Sequence, residues 1–268
     1  MSVATLEALL RRDRVVVGVA LTVLLGAAWL YLAHLALAMR AMATHDMPAM
    51  PGMAMLAMQH WSWVEVGALV VMWAVMMVAM MTPAAAPMLL MFATVHRRRA
   101  AEGRPAVPTA IFLLGYLAVW TIYSVAAALV QAGLHTAALL SPAMAATSPL
   151  LAGGLLVAAG VFQWTPLKRA CLAACRSPLA FLMTGWREGC GGAFAMGLRH
   201  GLYCLGCCWA LMALLFVAGV MNLLWVAVIA VGVLVEKVAP RGDLVGRLAG
   251  AVLVAVGVLL VARVMVTG

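Results

Sequence analysis

The sequence predicts an all-α fold, a polytopic bundle of about six or seven transmembrane helices, some of them broken by proline. Three observations carry that expectation. The 268 residues are 67% hydrophobic and 9% charged, with a mean hydropathy of +1.12, too little charge for the surface of a soluble domain of this size. Uncharged apolar runs recur, each long enough to cross a bilayer core of about 30 Å. The net charge of +9 is gathered in short segments beside those runs: Arg11, Arg12 and Arg14, then "HRRR" at 96–99, then Lys168 and Arg169. That is the charge pattern that orients helices in a membrane. No basic patch interleaved with aromatics points to nucleic acid.

Taken in order, the expected spans are 15–39, 64–92, 107–131, 150–165, 197–220, 222–235 and 248–266. Glu7, Asp13 and the absence of a small-residue cleavage site mark the first as a retained helix and not a signal peptide. Glu65 opens the second, where a carboxylate suits the positive end of a helix dipole. Pro83 and Pro87 remove amide protons inside that span, which predicts a break or a kink. Pro166 ends the fourth run, and 177–196 reads as a re-entrant or interfacial segment. With the arginine-rich loops inside, the N-terminus is cytoplasmic, residues 40–62 and 132–149 are external, and 96–106, 167–190 and 236–247 are internal. The expectation is one integral domain, 1–268, in a bacterial-type inner membrane.

The six cysteines are not scattered. "GLYCLGCCWALM" sets Cys204, Cys207 and Cys208 at i, i+3 and i+4, on one helix face, and Cys171 and Cys175 are one turn apart. Soft thiolates at that spacing suit Cu(I), zinc or an iron–sulfur cluster. The plain alternative is that each thiol is a small buried hydrophobe. A disulfide is disfavoured, because the topology puts Cys171, Cys175 and Cys190 on the reducing side and adjacent Cys207 and Cys208 cannot pair within a regular helix.

Twenty-one methionines are likewise clustered. The external segment 42–60 carries Met42, Met47, Met50, Met53, Met55 and Met58 among prolines and a glycine, with His45 and His60 at its flanks. Outside the bilayer such a segment has little to pack against, and it reads as a copper-collecting element. Met72, Met76 and Met80 form an i+4 ladder in the second span, with Met77 and Met81 beside it. Thioether sulfur is soft and neutral, which suits Cu(I), although methionine is also an adaptable filler. His34 reads as a packed histidine. His200, one turn before Cys204, is left open, and Glu236–Lys237 reads as an interfacial boundary within reach of Lys168 or Arg169. No phosphate-binding glycine loop, nucleophile–base grouping or paired carboxylates are present, so no catalytic residue is expected.

Five stretches, "MWAVMMVAMMTPAAAP" at 72–87, "GYLAVW" at 115–120, "QWTPLKRACLAACRSP" at 163–178, "GLYCLGCCWALM" at 201–212 and "EK" at 236–237, run in an order that resembles the predicted metal-binding integral membrane proteins grouped as domain of unknown function 2182. The resemblance implies a polytopic helical fold that binds metal. Position by position, it singles out Met76, Met80, Met81, Pro83, Pro87, Gln163, Pro166, Lys168, Cys171, Cys175, Pro178, Cys204, Cys207 and Cys208. The expected activity is binding of Cu(I) through Met and Cys, with its movement or delivery. The expected partners are the lipid bilayer, the ion, a periplasmic or cytoplasmic metal carrier and a second copy of the chain. Two rivals remain open: an oxidoreductase or accessory subunit with a metal, haem or iron–sulfur centre, and a scaffold with inert cysteines.

Overall fold

A computed structural model describes residues 3–44, 62–103, 107–141 and 144–267. His45, Met47, Met50, Met53, Met55, Met58 and His60 lie outside the described residues, and so does the rest of the expected collecting segment that follows Thr44. Apart from one isolated bridge, Leu140 to Ala146, the regular structure is helical.

The first helix, α1, is Val3–Thr44. Helix α2, Trp63–Ala101, starts at a reciprocal cap. The Ser62 amide donates to Glu65 Oε2 at 2.8 Å, and the Glu65 amide donates to Ser62 Oγ at 3.3 Å, which satisfies two of the amides a helix start leaves over. The expected break at Pro83 and Pro87 does not occur, since α2 runs through both. Its packing against α1, a third helix α3 (Thr109–Thr136) and a later helix described below holds it in register, although two carbonyls lose their amide partners.

Proline does divide the next run. Helix α4, Pro149–Phe162, and helix α5, Pro166–Arg176, meet at a 62° bend. Pro166 sits at the start of α5, where its missing amide proton costs nothing, and Thr165 Oγ1 accepts from the Lys168 amide at 3.3 Å. Short α6, Pro178–Gly185, leads into α7, Gly189–Ala213, and the single turn α8, Leu215–Ala218. The segment 177–196, expected to be interfacial or re-entrant, is thus α6 and the first turns of α7. Helices α9, Leu223–Val238, and α10, Gly242–Thr267, complete the bundle.

Among the described residues, five helices are long and apolar enough to cross a membrane, or six if the bent α4–α5 pair counts as one span. This meets the lower end of the expected count. Helix α9 makes the difference: its 16 residues reach about 24 Å at 1.5 Å per residue, short of a bilayer core.

Two helix pairs meet through glycine. Gly153 and Gly160 of α4 lie against Gly257 and Gly250 of α10, so that a Cβ on Gly160 would stand 2.7 Å from the Gly250 carbonyl oxygen, and one on Gly257 2.7 Å from that of Gly153. Between α3 and α7, Gly201 sits where a Cβ would meet the Tyr116 carbonyl oxygen at 3.1 Å. Small residues permit this approach where lipid removes the hydrophobic drive for helix association.

Gly160→Leu is expected to prise α4 from α10 and destabilise the protein by about 1–3 kcal/mol. Gly154→Leu, on the open side of the same helix, is expected to leave stability unchanged. Denaturant unfolding in detergent would compare the two.

Candidate metal site on the cysteine helix

Helix α7 places Cys204, Cys207 and Cys208 on one buried face, each at most 1% exposed. Four other helices close on that face. From α2, Met81 brings its Sδ to 3.8 Å from Cys208 Sγ. From α3, Tyr116 Oη lies 3.1 Å from Cys204 Sγ and donates to the Met81 carbonyl oxygen at 3.0 Å. From α5, Cys175 lies beside Cys207, and the Cys171 sulfur fills the notch left by Gly206, where a Cβ would stand 2.7 Å from it. From α9, Lys237 Nζ donates to Cys204 Sγ at 2.8 Å.

The two cysteine groups predicted from spacing are therefore neighbours in space, and one methionine of the ladder reaches them. Met72, Met76, Met77 and Met80 are buried in the same core but make no hydrogen bond to the thiols among the described residues. Pro83 and Pro87 lie one to two turns further along α2, while Gln163 and Lys168 belong to a second cluster.

All six cysteines are free thiols. Cys207 Sγ donates to the Cys204 carbonyl oxygen at 3.1 Å and Cys208 Sγ to the same oxygen at 2.9 Å. Both sulfurs are thus tied back to their own helix. Among the described residues no three His, Cys, Asp or Glu side chains form a ready-made metal cage. A soft ion would need one or more of these sulfurs to leave the carbonyl. The donors on hand, thiol and thioether sulfur, fit such an ion. His200 adds a nitrogen donor: it is 2% exposed, is framed by the rings of Tyr116 at 5.7 Å and Phe181 at 5.6 Å, and neither ring nitrogen has a hydrogen-bond partner among the described residues.

Glu236 and Lys237, expected at an interfacial boundary, lie in the last turn of α9. Both are buried, and Glu236 Oε2 pairs with Lys168 Nζ at 2.7 Å, which is the contact the sequence allowed for. Lys168 also donates to Gln163 Oε1. Lys237 is the site residue that sequence reasoning missed. An "EK" pair after a long apolar run reads as the point where a helix leaves the membrane, and only the tertiary contact with Cys204 distinguishes the two readings.

A family model described as PpoB2, copper chaperone, matches residues 70–260, well over half of the chain and every residue of the sulfur cluster. Comparison with curated proteins and with solved structures gives no match.

Removing one partner of the buried pair leaves the other charge stranded. Lys168→Met alone is expected to destabilise the protein by about 3–5 kcal/mol. The double variant Lys168→Met/Glu236→Met, which strands neither charge, is expected to recover most of that loss in chemical unfolding.

Proposed function

The chain belongs to the PpoB2 family of copper chaperones, and from that premise we propose that it is a membrane protein that holds Cu(I) on sulfur at α7 and hands it on. What supports the reading is one observation, the meeting of Met81 with the Cys204, Cys207 and Cys208 face at a sulfur–sulfur distance of 3.8 Å. With zinc–thiolate bonds of about 2.3 Å as a guide, two sulfurs sharing one ion at a tetrahedral angle stand about 3.8 Å apart.

Loading exchanges protons for the ion, because thiols bind metal as thiolates. A thiolate is no longer a donor, so Cys208 gives up its bond to the Cys204 carbonyl while it stays beside Met81. Lys237 governs which ion fits. Lys168 and Glu236 cancel, which leaves Lys237 as the net buried positive charge beside Cys204. Cu(I) on two thiolates carries a net −1 and is balanced by that ammonium. A divalent ion on the same two thiolates is neutral and leaves the ammonium uncompensated in an apolar interior. Lys237 therefore favours the monovalent ion. Release proceeds by ligand exchange toward Cys175 and then half-buried Cys171, where a carrier protein takes the ion. The segment 42–60, with its methionines and His45 and His60, collects copper for the site. The chain is an inner-membrane protein with a cytoplasmic N-terminus, as its basic loops suggest.

The expected result of anaerobic purification with Cu(I) is about one ion per chain, bound through thiolate and thioether. Cys204→Ala/Cys207→Ala/Cys208→Ala should abolish it, and Met81→Leu should weaken it in competition with a chromogenic Cu(I) chelator. Equal copper in the wild type and the triple variant would sink the proposal. Lys237→Met is expected to cost about 10–100-fold in Cu(I) affinity, the usual effect of removing a group that supports a ligand, and to narrow the preference for Cu(I) over Zn(II).

A further inference from the structure

A polar cavity of about 200 Å³ opens where the end of α4, the start of α5 and the start of α10 come together. At about 30 Å³ per water it has room for about six waters, or for one tetrahedral oxyanion with part of its ester. The polar groups around it are Gln163, Lys168, Arg169, Asp243 and Arg247.

Most of them are already engaged. Lys168 Nζ is taken by Glu236 and Gln163 Oε1, and Asp243 Oδ1 accepts from Arg176 at 3.4 Å. What remains is one-sided. Gln163 is 2% exposed, with its Oε1 held by Lys168. Arg169 and Arg247 stand exposed at the rim with no ion pair or hydrogen bond among the described residues. The unmet donors are two planar guanidinium forks that match phosphate oxygens two at a time, and the one carboxylate of the lining, Asp243, has its charge offset by Arg176.

Position narrows the class further. The cavity lies at the first turns of α10, where the candidate span Gly242–Val266 begins, so its mouth is at the level of lipid headgroups. Basic pockets between helix ends at that level hold the phosphates of acidic lipids. We infer that this cavity is a phosphate-binding site, with Arg169 and Arg247 gripping the oxyanion from the rim. The phosphate is that of an acidic phospholipid headgroup or a free phosphate ion, which share this chemistry. The site is separate from the sulfur cluster and does not depend on copper.

The test uses the purified full-length chain in neutral detergent. Thermal shift and native mass spectrometry would be run with phosphatidylglycerol, with phosphatidylcholine and with inorganic phosphate. Phosphatidylglycerol is expected to bind and raise the melting temperature, phosphatidylcholine to do so weakly. Arg169→Gln/Arg247→Gln is expected to weaken binding roughly thirtyfold. Arg241→Gln, an exposed arginine outside the cavity, is expected to have no effect. Stabilisation by inorganic phosphate at the same residues, without a lipid preference, would identify the free ion as the occupant. Equal phosphate and lipid binding by the wild type and the double variant would overturn the inference. So would an Arg241→Gln loss as large as that of the double variant, because bulk surface charge would then explain the binding.

Discussion

Two lysine ammonium groups sit inside an apolar bundle, and the geometry of four helices follows from how they are matched. An unpaired buried charge costs several kcal/mol, more than a small bundle can carry twice. Lys168 of α5 is met by Glu236 of α9 and Gln163 at the end of α4, and Lys237 of α9 is met by Cys204 of α7. Consecutive residues on a helix diverge by about 100°. Glu236 and Lys237 can therefore face two different walls, and α9 acts as a wedge whose end ties α5 on one side and α7 on the other. The 62° bend between α4 and α5 serves the same pairing, because it lets Gln163 and Lys168 flank the bend and meet across it.

Close approach of the remaining helices rests on glycine. In lipid, apolar side chains gain little by leaving one apolar neighbour for another, and helix association leans on tight van der Waals contact and on polar links. The α3–α7 contact at Gly201 lowers α3 onto the cysteine helix until Tyr116 Oη reaches Cys204. The α4–α10 contact at Gly160 and Gly250 does the same beside the bend, and a Cβ on Gly246 would already stand 3.0 Å from Glu236 Oε1. Packing by small residues and satisfaction of buried polar groups are therefore coupled. Neither polar cluster could close if the backbones stood a side chain further apart.

Features with a strict helical period were legible in the sequence. The shared face of Cys204, Cys207 and Cys208, the pairing of Cys171 with Cys175, and the long apolar helices all follow from spacing alone. Features set by long-range contact were not. Pro83 and Pro87 suggest a break, yet neighbouring helices hold α2 through them. Lys237 suggests a membrane boundary, yet it is buried against sulfur. Met81 could not be told from the other ladder methionines, because which rung meets α7 depends on the rotation and depth of α2. The glycine pairs were visible and went unread: Gly153 and Gly160, like Gly250 and Gly257, are separated by seven residues, two turns along one face. That spacing is a packing signal in an apolar helix even where no sequence repeat accompanies it.

A chaperone has to give up its cargo as readily as it takes it, which places a demand on the metal-free state as well as on the loaded one. In the arrangement at α7 the metal-free thiols are not strained or orphaned. Cys207 and Cys208 donate to the Cys204 carbonyl, and Cys204 faces Tyr116 and Lys237. Under the proposed function, copper entering such a site would trade one set of satisfied contacts for another, so the net gain on binding would be smaller than for a rigid cage of sulfurs held apart for the ion. The ammonium of Lys237 remains in place in both states and keeps the interior charge in balance when the ion is present. The bonds of Cys207 and Cys208 to the Cys204 carbonyl thus offset part of the gain on loading while the charge of Lys237 adds to it, and a balance between the two is the thermodynamic condition for passing an ion to a partner.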